Sequence, residues 1–515
     1  MSLFTRARAH AAPLTVAALC LVTVAAQDLI PTSRRSVSTA PVQAIDAGLR
    51  MRGMPRAVRK STDSSTRRAV ATARYVRGSV IVKFRPGTSA AAEAAIRALV
   101  QGQATADLPY ASFDLVALDD ASDPEAVALR LAAQPDVEYA QARYRVRPMF
   151  RPNDPFYSLQ WNFPAIDMER AWDINPGASA SVTVAVLDSG LAYTNTSLDF
   201  VQSVPQSIDG VLFPALGTVR IPFAAAPDLG GPERFVAPRD FIWDDGEPVD
   251  MDGHGTHVAG TIGQLTNNAL GVAGMAFNTR LMPIKVIDTF WDEYFRSPFV
   301  GTDDVVARGV RYAVDNGARV LNMSIGRTGP PAPVVQDALV YAVGKGAFVA
   351  IASSNEFLDG NPVPRFAEIG PQINGVVTVA AVGRDRQRAV YSGTGSYVEL
   401  SAPGGDSVRG GGLGMILQQT YDFDFTDTFV NGAAGFRAPR FDVLEYVFYE
   451  GSSMATAHVS GLAALLYQQG ITNPAAIEAA MKRFATDLGA SGRDNEYGHG
   501  LINPRASLRG LGIVR

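Results

Sequence analysis

Between residues 182 and 383 the chain returns five times to a near-continuous apolar run: VTVAVLDSGL at 182–191, RLMPIKVID at 280–288, ARVLNMSIG at 318–326, AFVAIASSN at 347–355 and GVVTVAAVG at 375–383. Runs that offer no polar face read as strands buried on both sides, which calls for a parallel sheet covered by helices. DDVVARGVRYAVDNGA at 303–318 and APVVQDALVYAVGKGA at 332–347 repeat their apolar residues at the helical period and end near Gly. The expectation over residues 150–515 is a doubly wound, three-layer α/β/α domain. In such open sheets ligands lie beyond the carboxyl ends of the strands, so polar residues there carry the interest.

Upstream the pattern changes scale. SVIVKF at 79–84, FDLVAL at 113–118 and VEYAQARYRV at 137–146 are strand-like, while SAAAEAAIRALVQG at 89–102 and DPEAVALRLAAQ at 123–134 are helix-like. Strands separated by two amphipathic helices predict a small α+β, ferredoxin-like domain over 78–148. Residues 27–77 hold eleven Lys or Arg against three Asp without apolar periodicity, a basic flexible linker. A nucleic-acid arm is disfavoured because no aromatic residue interleaves these charges before Tyr75.

Bulk properties narrow the class. A chain of 515 residues exceeds one ordinary domain, and 47 % hydrophobic against 19 % charged residues is globular in character. A net charge of −4 gives no broad electrostatic case for nucleic acid or an anionic membrane. The single cysteine, Cys20, lies in an apolar run from Ala11 to Ala26 that follows Arg6 and Arg8 and ends in small residues. That order describes a secretory signal peptide over 1–26 and so a secreted protein, extracellular or periplasmic. After its removal no cysteine is left, so stability must come from packing or bound ions.

Of the five histidines, His254 and His257 fall in DGHGTHVAGTIG at 252–263, a glycine-rich entry to an apolar helix. A metal reading fails for want of partners, since no HExxH glutamate and no third His or Cys is near. The glycines flanking His254 leave room for another chain, which favours a general base there and a structural role for His257. Asp188 ends a buried strand, where its carboxylate needs a partner such as an imidazole. Ser453, in GSSMATAHVSGLAALL at 451–466, opens a long apolar helix whose free N–H groups can face an oxyanion. N-capping by Ser452 or Ser453 is the blander reading.

In the order Asp, His, Ser these three stretches resemble the subtilisin-like serine proteases, and the resemblance spans nearly all of residues 150–510. VIVKF and VEYAxxxYRV upstream likewise resemble the family's inhibitory propeptide. The resemblance implies a secreted serine endopeptidase, made as a self-processing zymogen cut near 147–153, with Asp188, His254 and Ser453 as its triad. Asn355 in VAIASSNE at 349–356 maps onto the oxyanion amide, and Ser324, Ile325 and Gly326 of LNMSIG onto the substrate-pairing strand. Two departures stand out: Ser354 where the family has Gly, and Ala457 where it has Pro.

The resemblance also implies calcium. In TNNALGVAG at 266–274 it points to Asn268 and to carbonyls of Thr266, Leu270 and Val272, with Asp154 as a further donor and Asp199 as a weaker one. The implied partners are peptide or protein substrates and the chain's own propeptide, acting as chaperone and inhibitor of a monomeric enzyme. No nucleic acid and no lasting membrane association are expected. Two insertions rich in Phe and Tyr, 201–245 and 405–448, are expected beside the cleft. A catalytically silent scaffold on the same fold is the alternative, opposed by the filled triad and Asn355. An α/β-hydrolase esterase is opposed by the residue order and the missing GxSxG elbow.

Overall fold

The computed structural model describes residues 75–104, 110–144, 150–208, 211–213, 215–297, 301–421 and 440–510. The signal segment and nearly all of the basic stretch lie outside the described residues. Those described form two compact units that divide between Pro148 and Met149.

The first unit runs β1 (Tyr75–Phe84), α1 (Ala90–Ala98), β2 (Gln103–Ala104), β3 (Asp114–Ala117), α2 (Pro124–Ala132) and β4 (Val137–Tyr144). Its antiparallel sheet has the order β2-β3-β1-β4. Val80, Val82 and Val116 of the sheet bury against Ile96, Val127 and Leu131 of the helices. Ser89 and Asp123 cap the two helices by accepting from Ala92 N and Glu125 N, each worth about 1 kcal/mol. This is the expected ferredoxin-like arrangement, and the short strand β2, beyond the three read from the sequence, completes its β-α-β-β-α-β order.

The second unit contains β5 (Thr183–Asp188), β6 (Thr196–Gln202), β7 (Gln206–Ile208), β8 (Val211–Phe213), β9 (Gly217–Phe223), β10 (Arg239–Asp240), α3 (His254–Gly263), β11 (Arg280–Lys285), α4 (Asp303–Asp315) and β12 (Val320–Met323). It continues with α5 (Pro333–Gly344), β13 (Phe348–Ala352), β14 (Val376–Val382), β15 (Leu400–Pro403), β16 (Ile416–Thr420), β17 (Glu445–Tyr449), α6 (Ser452–Gln468) and α7 (Pro474–Phe484). Seven strands form one parallel sheet in the order β10-β11-β5-β12-β13-β14-β15. Strand side chains alternate between two cores. Val184 and Val186 of β5 join Val258 of α3, Leu462 of α6 and Ile477 of α7, while Ala185 and Leu187 join Val310 of α4 and Leu339 of α5. That double burial is why these strands show no polar face.

The insertions fold as added hairpins. β6 pairs with β9 and β7 with β8, while β16 pairs with β17; residues 422–439 between them lie outside the described residues. The insertions meet where Phe223 and Phe441 stack at 5.0 Å and Ala224 N donates to Phe441 O at 3.0 Å.

Candidate active site

Two neighbouring elements bring Asp188 and His254 together. β5 ends at Asp188, fully buried, and α3 begins at His254. Gly255 lets that helix come close, because a Cβ there would collide with the Gly190 carbonyl. His254 Nδ1 stands 2.6 Å from Asp188 Oδ1, which also accepts from Ser189 N at 2.8 Å. With Nδ1 carrying the proton toward the carboxylate, Nε2 is left as the acceptor. Burial disfavours the charged ring, but the charge and hydrogen bond of Asp188, helped by Asp252 and Asp250, outweigh it and push His254 up to about 9.

Ser453 occupies the second position of α6 and is almost fully buried. Its Oγ donates to the Ser324 carbonyl at 3.3 Å, and Ser324 Oγ donates in return to the Ser453 carbonyl at 2.9 Å. No serine side chain caps this helix; the N-cap residue is Gly451. Ser452 instead holds Asn355, its N and Oγ donating to Asn355 Oδ1 at 2.8 and 2.9 Å. This fixes which way the amide points. A Cβ on Gly451 would lie 3.3 Å from Asn355 Nδ2 and 3.7 Å from Ser453 N, so both nitrogens lie beside this glycine.

Ser324, Ile325 and Gly326 continue from β12 and line one cavity with Ser354, Asn355 and Ser453. A Cβ on Gly326 would meet nothing within 4 Å, so the backbone there is accessible. Ser354 has φ of +139°, a backbone conformation suited to glycine. Its Oγ accepts from Glu356 N at 3.0 Å and its carbonyl from Gly393 N at 3.0 Å, which hold it there.

His257 and His458 are structural. His257 Nε2 reaches the Ile416 and Val447 carbonyls at 3.1 and 3.2 Å, and its ring stacks on Tyr449 at 4.5 Å. His458 lies between Asn162 Nδ2 and the Met454 carbonyl, each at 2.8 Å. Burial brings the two rings down to about 3 and about 4, so both are neutral at ordinary pH.

A model of the subtilase family matches residues 179–500, well over half of the chain. The chain belongs to the subtilase family. A model of the fervidolysin N-terminal prodomain matches residues 61–142, so this subtilase carries the family's prodomain ahead of its peptidase domain and is a serine endopeptidase made as a zymogen. It is 30 % identical over 429 residues to a thermophilic serine proteinase of Bacillus sp. (strain AK1), covering 82 % of this chain and 86 % of the other. Thermitase of Thermoactinomyces vulgaris is 29 % identical over 355 residues, which cover 69 % of this chain and 98 % of that one. Among solved structures, a protease of Pseudoalteromonas arctica PAMC 21717 superposes with a TM-score of 0.51 at 26 % identity, covering 70 % of this chain and 99 % of the other.

Two residues of this subtilase escape a reading of the sequence. Asp250, fully buried, accepts from Ser189 Oγ at 3.0 Å, Asp252 N at 3.0 Å, Gly253 N at 2.8 Å, and Thr256 N and Oγ1 at 2.9 and 2.6 Å. It thereby ties the turn after Asp188 to the turn that launches His254. The other is Asp228. It accepts from Asn268 Nδ2 at 2.8 Å and Val272 N at 3.1 Å, on the loop where Asp154 accepts from Asn267 N and Asn268 N at 2.8 and 3.2 Å. Asp199 does not join this loop; it pairs with Arg220 at 3.4 Å on the exposed hairpin. No group of three or more His, Cys, Asp or Glu side chains arranged for a metal is found among the described residues.

Proposed function

We propose that Ser453 is the nucleophile of this endopeptidase, His254 its general base and then acid, and Asp188 the partner that orients and charges the imidazole. The observation that carries the reading is the 2.6 Å bond from His254 Nδ1 to Asp188, which leaves Nε2 to accept a proton. On substrate binding Ser453 Oγ turns from the Ser324 carbonyl to His254. Its proton passes to Nε2 as the oxygen adds to the scissile carbonyl, and Asp188 balances the imidazolium. Asn355 Nδ2–H and Ser453 N–H receive the developing oxyanion. Collapse breaks the C–N bond, His254 gives its proton to the leaving amine, and water repeats the sequence to free the acid and restore Ser453. The backbone of Ser324, Ile325 and Gly326 holds the substrate as an added strand.

The residues of the 266–274 loop fit a structural calcium ion. Asp154 and Asp228 bring carboxylates to it, and burial raises both, Asp228 to about 7, which a cation would reverse. The carbonyls of Thr266, Leu270 and Val272 accept no hydrogen bond from the described residues, and Asn268 links the acids, its backbone N donating to Asp154 and its Nδ2 to Asp228. Bound there, calcium would pin the loop to the start of the peptidase domain.

The signal-like order of residues 1–26 supports secretion, and the prodomain supports self-inhibition until cleavage near 147–153. No helix of the described residues is long and apolar enough to cross a membrane. Titration with a serine-directed covalent inhibitor tests the assignment. One equivalent should abolish peptide hydrolysis and mass spectrometry should place the adduct on Ser453; full activity at saturation contradicts it.

A further inference from the structure

Away from the triad, the segment 151–165 and the turn 383–387 enclose a concavity of about 410 Å³. Arg151, Arg384 and Arg386 line it together with the rings of Tyr157 and Trp161, and no carboxylate is among the lining residues. We infer that this is a binding site for an oxyanion of two or more charges, such as phosphate or the clustered carboxylates of an acidic peptide.

The walls are built. The turn is closed by Gly383 N to Gln387 O at 2.9 Å and Arg386 N to Gly383 O at 3.0 Å, with Arg386 held at φ of +62°. Arg386 Nη2 then donates to the Ala165 carbonyl at 3.0 Å, joining one wall to the other. Trp161 is fixed by its indole N–H to the Met415 carbonyl at 2.9 Å, and the Arg151 guanidinium lies over the Tyr157 ring at 6.0 Å.

Local countercharge is weak or committed elsewhere. Asp385 faces Arg409 at 3.8 Å, while Glu169 accepts from Tyr157 OH at 3.1 Å and reaches Arg151 only at 3.9 Å. Arg384 has no ion-pair partner among the described residues. Three arginines line one space, and an oxyanion bound there would gain charge-assisted hydrogen bonds from them. Guanidinium forks match the paired oxygens of phosphate and carboxylate, which favours oxyanions over halides.

Calorimetry on the intact protein at constant ionic strength tests this, with inorganic phosphate as one probe and a hexaglutamate of D-residues, which resists hydrolysis, as the other. Saturable binding of either probe at one site per chain is expected, weakened at least tenfold in the Arg384→Ala, Arg386→Ala double variant. Arg384→Lys, which keeps the charge and loses the fork, should weaken it less. Binding of phosphate alone assigns a small anion, and binding of the peptide, displaced by phosphate, assigns an acidic segment. Hydrolysis of a neutral peptide at the wild-type rate shows that the double variant is folded. Absence of saturable heat with both probes, or equal affinity in the folded double variant, overturns the inference.

Discussion

His254 Nδ1 and Asp188 Oδ1 stand 2.6 Å apart, and this pair holds the imidazole up toward a pKa of about 9. Only the neutral ring can accept the serine proton, so the acid limb of kcat/KM against pH should lie above the ordinary histidine value of about 6.5, displaced toward 9. Asp188→Asn should return the limb toward lower pH and cut kcat by about 10⁴, a size carried over from other serine proteases. The sign for stability is opposite. A raised pKa contributes stability in full below about 6.5 that is lost as pH rises through about 9, so Asp188→Asn should destabilise the protein more at pH 6 than at pH 10. An acid limb below 6.5 in the wild type contradicts the pairing.

Asn355 is aimed by Ser452. Asn355→Ala should lower kcat by about 10² to 10³ with KM nearly unchanged, the size of the effect in subtilisin. Ser452→Ala, which loses one of two bonds to Oδ1, should lower kcat about fivefold, since one net hydrogen bond is worth about 1 kcal/mol. Steady-state kinetics check both. Added to Asn355→Ala, it should cost almost nothing more.

Ser354 holds a glycine's backbone conformation at φ of +139°. Such strain costs about 1 to 3 kcal/mol, while a glycine gives back some 0.5 to 1 kcal/mol through the unfolded chain. Ser354→Gly should therefore stabilise the protein by about 1 kcal/mol in denaturant melts, whereas Ser354→Ala should not. Because residue 354 lines one cavity with Asn355 and Ser453, the glycine variant should also shift the side-chain preference at the scissile bond.

Asp250 accepts five hydrogen bonds beneath the Asp188 and His254 turns. Asp250→Ala leaves buried donors without an acceptor, a loss of roughly 3 kcal/mol or more. Thermal melts should show it, and kcat should fall more than KM changes as His254 loses its footing.

Removal of calcium by a chelator should lower the Tm of the peptidase, and Asp228→Asn should remove most of that response. A melt indifferent to chelator contradicts a bound ion at the 266–274 loop.

The sheet was legible because β5 and β11 to β14 bury both faces and so appear as uninterrupted apolar runs. The edge strands were not. β10 is only Arg239–Asp240 and β15 only Leu400–Pro403, too short for any period and, for β10, polar throughout. The placement of Asp188 and Asn355 at strand ends, and of His254 and Ser453 at helix starts, was legible. Asp228 was hidden because an insertion carries it back to the loop from a distant point in the chain, beyond the expected Asp199. Asp250 stood four residues before His254, but its role lies in bonds to backbone that only the folded turn creates. Ser452 looked like a helix cap and serves the neighbouring strand's asparagine instead.

Peptide hydrolysis by the Ser453→Ala protein is the most direct test of the whole account. Turnover should fall by about 10⁶, as removal of the corresponding serine does in subtilisin, and the chain should stay uncut between prodomain and peptidase. Hydrolysis near the wild-type rate by that protein, with its prodomain still released, contradicts the assignment of Ser453 as the nucleophile.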